Sequence, residues 1–161
     1  MNEAQVKWMF DKYSDKDISI LEGVMGFYDG MDKNASAYDV TKLLNVPTVI
    51  VLDASGSYIT ISAIIKGLKT YQEGNTIKGV IFNHVSSNGH YELIKNQVEK
   101  DFDDVAVLGW IQNRLDTLDS THLGLDLKDN DERKLELISK EVLKHIDLEK
   151  LEKIAEFIPQ K

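Results

Sequence analysis

The sequence predicts an α/β fold built on a parallel sheet, and three observations carry that prediction. Four short, β-branched apolar runs recur along the chain, Ile18–Leu21, Thr48–Leu52, Ile77–Phe82 and Val105–Leu108. None alternates cleanly between apolar and polar residues, as is usual for strands buried on both faces. Amphipathic stretches with helical spacing separate the runs, and the connections are long enough for right-handed crossovers. Strand and helix therefore alternate, with helices covering both faces of the sheet.

Taken in order, the chain opens with a helix over Glu3–Tyr13. The first predicted strand, Ile18–Leu21, runs into Glu22-Gly23-Val24-Met25-Gly26-Phe27-Tyr28-Asp29-Gly30. Ala35–Leu44 then places Tyr38, Val40, Thr41, Leu43 and Leu44 around an apolar stripe. Pro47 opens the second strand, where a missing N–H is tolerated. A helix over Tyr58–Tyr71 follows, with Ile61, Ile64, Ile65 and Leu68 at steps of three and four. After the third strand, Tyr91–Val98 repeats the pattern with Leu93, Ile94 and Val98. Two helices follow the fourth strand: Asp131–His145, and one N-capped by Asp147 with Leu148, Leu151, Ile154 and Phe157 on one face. Pro159 comes after that helix.

Composition bounds the function. A length of 161 residues is enough for one domain with a real core and too little for two. With 42% hydrophobic and 29% charged residues, the chain has the composition of a soluble globular protein. No apolar run approaches membrane-spanning length, and MNEAQVKWMF lacks the pattern of a secretory signal. A cytoplasmic location and no membrane partner are the expectations. The absence of cysteine excludes disulfides, zinc–thiolate sites and thiol catalysis by these residues. A net charge of −8 argues against nonspecific nucleic-acid binding. It leaves open a nucleotide held through magnesium and backbone N–H groups.

In doubly wound sheets ligands sit at the carboxyl ends of the strands, so the loops there hold the candidate residues. Glu22 at the end of the first run could hold magnesium beside a nucleotide's phosphates. Its glycine-rich surroundings equally fit a plain turn whose carboxylate caps a helix. Asp53, in Asp53-Ala54-Ser55-Gly56-Ser57, supports the same two readings, whereas Ser57 reads better as a helix cap. Asn83 could read a purine edge with its paired donor and acceptor, or stabilise a turn. His84 reads as a loop histidine and His90 as a helix-start residue. Gln112–Thr121, which includes Arg114, could be a lid, a partner surface or solvated loop. The chain contains no G-x-x-x-x-G-K-[ST] phosphate loop, no G-x-G-x-x-G, no G-x-S-x-G elbow and no H-x-x-x-H pair.

Together these loops resemble one family in chain order. LEGVMGFYDG is similar to the E-G-V-M-G-L-Y-D-G signature of the cobyrinic acid a,c-diamide synthases. VPTVIVLDASG resembles the next strand of that family, followed by a helix with Ser62-Ala63 and Gly67 in familiar places. IKGVIFNHVSSNGHYELIK resembles its G-V-I-x-N-x-V-x-S-x-x-H segment, and VLGWI and HLGL match two later motifs. The resemblance covers essentially the whole chain, and its first motif is the most specific.

The resemblance implies a dethiobiotin synthetase-like, P-loop NTPase-like fold lacking its first strand and phosphate loop. It also implies a reaction that uses ATP and Mg2+ to activate the a and c carboxylates of a corrin, as acyl phosphates, for attack by glutamine-derived ammonia. Carried over, Glu22 is the expected magnesium ligand and Asp29 lies at the corrin-activating site. Asn83 is expected to contact adenine, with Asp53 supporting it on the same edge. Residues 1–161 are accordingly expected to be a partial ATP-dependent synthetase domain without the glutamine amidotransferase domain. As an excised fragment or truncated product it is expected to be inert alone and to self-associate through exposed apolar edges. Relatives acting on hydrogenobyrinic acid or a nickel tetrapyrrole share these motifs. Dethiobiotin synthetase and cobyric acid synthase fit less well, since M-G-x-Y-D-G is not expected in them. The alternative is a non-catalytic nucleotide-binding-like module, or a subunit of a split amidase or ligase.

Overall fold

Parallel pairing of three β-branched strands organises the chain. The computed structural model describes residues 2–15, 17–31, 34–115, 120–121, 124–125 and 131–156. The elements are α1 (Glu3–Tyr13), α2 (Ala37–Leu44), β1 (Thr48–Asp53), α3 (Ile59–Tyr71), β2 (Ile77–Val85), α4 (Asn88–Asp101), β3 (Ala106–Gln112), a small pair β4 (Ser120–Thr121) and β5 (Gly124–Leu125), α5 (Asp131–His145) and α6 (Leu148–Ala155). The main sheet has the order β1-β2-β3, all parallel, and β4 pairs β5 antiparallel. The β4–β5 pair is not predicted by the sequence patterns.

Helices cover both faces of the sheet, as expected. Phe82 of β2 is fully buried and faces α4, its ring 6.3 Å from that of Tyr91. Gly79, of opposite parity along the same strand, faces α6 instead. A Cβ on Gly79 would stand 3.0 Å from Ile154 Cδ1 and 2.9 Å from Leu108 Cδ1. Ile61 and Ile65 of α3 and Ile94 and Val98 of α4 are wholly buried in the same core as Val80 and Phe82. Burial of such a side chain stabilises the fold by about 1.5–3 kcal/mol relative to exposure. The helix spacings predicted these four helix residues correctly, but Ile64 and Leu93 of the same predicted stripes are 41% and 54% exposed, on the outer flanks of α3 and α4.

One predicted strand is absent. Ile18–Leu21 is not part of any strand, and Ile18, Ile20 and Leu21 are 56%, 88% and 49% exposed. The run has the composition of a strand, but backbone groups gain a ladder only beside a partner, and the described residues place none there. Correspondingly, β1 pairs only with β2 on one side, and Val51 on β1 is 58% exposed. Among the described residues the four-stranded prediction becomes a main sheet of three strands, with no strand paired to the outer edge of β1.

On the other side of the sheet, α5 and α6 are fastened to β3 by backbone. Asp147 N donates to Leu108 O at 2.7 Å, and Gly109 bridges Ile146. Gly109 has φ +140°, and a Cβ there would overlap the His145 carbonyl. The Trp110 ring stacks on His145, with centroids 4.1 Å apart. Asp147 caps α6 as predicted, accepting from Lys150 N at 3.0 Å. His122, Leu123, Phe157 and Pro159 lie outside the described residues. Among the described residues no helix is long and apolar enough to cross a membrane.

Candidate functional site

The carboxyl ends of β1 and β2 bring Asp53 and Asn83 side by side, since the two residues are register partners in the parallel ladder. The backbone joins them again one residue on, where Ala54 N donates to Asn83 O at 2.8 Å. The sequence reading thus placed both residues on one edge, and the structure pairs them.

Asp53 is committed on both carboxylate oxygens. Oδ1 accepts from Ser55 N at 2.8 Å and Ser55 Oγ at 2.6 Å, closing a turn over Ala54. Oδ2 lies 3.2 Å from His84 Nδ1. The Ser55 hydroxyl, the Ser55 N–H and His84 together hold the Asp53 carboxyl down at about 2. Asp53 is therefore oriented by Ser55 and His84, while its carboxylate stays 63% exposed.

His84 is more than the loop histidine predicted. It stands inside β2, which runs three residues beyond the expected Phe82, and has φ 57°. A non-glycine residue in the left-handed region is uncommon and is held there by its surroundings. Its N–H donates to Asn83 Oδ1 at 2.9 Å. No short sequence pattern signals that conformation.

His90 also does more than start a helix. Ser87 caps α4 by accepting from His90 N at 3.1 Å. The His90 ring reaches back, with Nε2 2.7 Å from Ser57 O and Nδ1 3.1 Å from Ser86 Oγ. Ser86 N also donates to Nδ1 at 3.3 Å, so Nε2 carries the proton given to the Ser57 carbonyl. One imidazole thereby ties the loop after β1 to the loop after β2. Ser57 does not cap α3 as predicted: Tyr58 holds the N-cap position without a side-chain bond, and Ser57 Oγ donates to Ser55 O at 3.3 Å.

The Leu21–Gly30 loop is anchored by its aromatics. Tyr38 N donates to Phe27 O at 2.9 Å, and the Tyr28 hydroxyl donates to Leu68 O. The Tyr28 ring lies 5.1 Å from Tyr38 and 4.9 Å from Tyr71. Gly23 and Gly30 pack closely on Ala37 and on the Ala35–Ser36 backbone, which explains two of the loop's glycines. Asp29 closes a turn through its N–H to Gly26 O at 2.9 Å, and its carboxylate lies over Gly26. Glu22 is exposed. Among the described residues no three His, Asp or Glu side chains gather as a metal cluster, so Glu22, Asp29 and Asp53 do not form one. Magnesium needs only one or two carboxylates when phosphates and water complete its shell, but Glu22 follows a run that forms no strand and so does not stand at a strand end as predicted.

A groove of about 780 Å³ lies at the opposite end of the sheet, lined by Asn45, Asn75, Asp104 and Lys153 among others. It is far from the strand ends where such sheets bind ligands.

A family model described as AAA domain matches residues 2–121 of the chain. The chain belongs to the AAA domain family. Within the range matched, the AAA domain contributes the whole β1–β2–β3 sheet and the edge that carries Asp53, Asn83 and His84. Three relatives, each called cobyrinate a,c-diamide synthase, are similar over nearly the full chain. The protein of Saccharolobus solfataricus is 39% identical over 96% of this chain and 36% of its own length. That of Fusobacterium nucleatum is 42% identical over 96% and 36%, and that of Methanocaldococcus jannaschii is 37% identical over 97% and 37%. The chain thus spans about a third of the length of the curated relatives it matches. No solved structure matches it.

Proposed function

We propose that this AAA domain is the nucleotide-binding part of an ATP- and Mg2+-dependent amide ligase that converts the a and c carboxylates of cobyrinic acid to amides in cobalamin biosynthesis. The observation that carries the reading is the pairing of Asp53 with Asn83 at the carboxyl edge of a parallel sheet, in a chain that resembles cobyrinate a,c-diamide synthases over nearly all its length. Amidation needs a carboxylate activated by a phosphoryl group, and bound magnesium offsets the charge of that group. Glu22 would hold the cation. Asn83 would contact the adenine, Asp53 would brace the edge, and Asp29 would stand at the carboxylate being activated. Ammonia would come from glutamine hydrolysed outside these 161 residues, since they contain no cysteine nucleophile. The chain alone would bind nucleotide without completing amidation.

Calorimetry of the purified chain with ATP and Mg2+ tests this reading. Saturable, magnesium-dependent binding that Glu22→Gln weakens about tenfold or more is expected. An equal affinity with and without Mg2+ would remove Glu22 from its role. A second reading, a non-catalytic binding module or the subunit of a split ligase acting on another tetrapyrrole, is favoured by the ties of Asp53 to Ser55 and His84, which hold this edge through the chain's own hydrogen bonds. Amidation or ATP hydrolysis by the chain alone would count against it.

A further inference from the structure

Between Phe82 and Val85 the β2 strand carries one more residue than its neighbour. Phe82 lies opposite Trp110 and Val85 opposite Gln112. Such a bulge re-aims side chains, and here the left-handed His84 breaks the alternation that would send consecutive residues to opposite faces. His84 turns its ring to Asp53, where Nδ1 meets the braced carboxylate at 3.2 Å. An ionised carboxylate only accepts, so Nδ1 must carry the proton and a neutral ring offers Nε2 as an acceptor. The ring is half exposed. Beside it, Asn83 spends its Oδ1 on the His84 N–H, which leaves the Nδ2 donors on offer.

From these consecutive strand-end residues, Asn83 with its Oδ1 engaged and His84 with its Nδ1 engaged, we infer that His84 is a base-selecting contact for adenine in the nucleotide site. The inference rests on the nucleotide reading above and adds the residue that sets base identity. Adenine presents a ring-nitrogen acceptor beside an exocyclic N–H donor, whereas guanine presents an oxygen acceptor where adenine has that donor. Asn83 Nδ2 donates to the adenine ring nitrogen, and His84 Nε2 accepts from the exocyclic amine. Guanine would set its oxygen against the His84 lone pair, so the same residue rejects it. Asp53 acts through His84, as a positioning residue that fixes the tautomer.

The test compares ATP and GTP, each with Mg2+, by calorimetry on the unsubstituted chain and on His84→Ala and Asp53→Asn. The unsubstituted chain is expected to prefer ATP, and His84→Ala to lose about tenfold in ATP affinity while GTP stays within twofold. In Asp53→Asn the side-chain amide can donate to Nδ1, which moves the ring proton to Nε2 and narrows the ATP preference by a similar factor. An ATP preference unchanged in both variants overturns the role of His84 while leaving nucleotide binding intact. No binding of either nucleotide by the unsubstituted chain overturns the nucleotide reading and the inference together. Nitrogen-15 spectra of the imidazoles supply a readout independent of affinity: His84 is expected as the Nδ1–H tautomer, and an Nε2–H tautomer overturns the proposal.

Discussion

Asp53 keeps its charge to low pH because three donors converge on an exposed carboxylate. Its folded-state value of about 2 lies below the ordinary 3.8. Below its unfolded value the unfolded chain binds this proton more readily than the folded one. The contribution to stability is therefore complete above pH ~4 and fades as pH falls toward 2. The Ser55 hydroxyl is the largest contributor, so Ser55→Ala is expected to raise the Asp53 midpoint toward 3.8 in a carbon-13 titration of the carboxyl group. A midpoint that stays near 2 in the variant would transfer the effect to His84 and the backbone. The role of Asp53 is half legible in the sequence. A strand-end carboxylate two residues before a serine announces both a site edge and a side-chain turn. Its other partner is not legible, because His84 reaches it through a backbone conformation that no spacing encodes.

Elements at this edge are positioned by side chains that cross between loops. The aromatic lock of the Leu21–Gly30 loop joins it to α2 through Tyr38 and to the end of α3 through Leu68 and Tyr71. Burial and the neighbouring Tyr38 push the Tyr28 hydroxyl above its ordinary range, so it remains a donor at any physiological pH. Tyr28→Phe keeps the ring and deletes one hydrogen bond, which is expected to cost about 1 kcal/mol in urea denaturation. Tyr28→Ala empties the lock and is expected to cost several-fold more and to open the loop to proteolysis. If Tyr28→Ala costs no more than Tyr28→Phe, the ring packing contributes nothing. Helices α1 and α5 match the predicted bounds, since apolar periodicity and capping residues are local signals. The strand prediction at Ile18–Leu21 fails because composition shows that a segment suits a sheet without showing what lies beside it.

At the scale of the molecule, a three-stranded parallel sheet with helices on both faces ends at β1, whose outer edge pairs with no strand among the described residues. Apolar groups at Val51, Ile18 and Ile20 are exposed near the amino-terminal half of the chain, and open edges of this kind recruit further strands. Self-association is therefore expected to grow with concentration in multi-angle light scattering, and Val51→Lys on the open strand is expected to suppress it. A chain that stays monomeric throughout the millimolar range would overturn this. Fold class was legible because parallel strands buried on both faces have a distinctive composition, and crossovers limit their order. The open edge was not legible in composition, which predicted a further strand at Ile18–Leu21 where the structure has none. That edge also gives the protein an internal clock. Successive peptide groups of a strand point alternately to its two neighbours, so half the amides of β1 face β2 and half face outward. In the lone molecule, deuterium should enter β1 at every second residue within seconds and stall at the residues between. Any strand that docks there would erase the alternation, and the exchange pattern of six residues would record when the edge is filled.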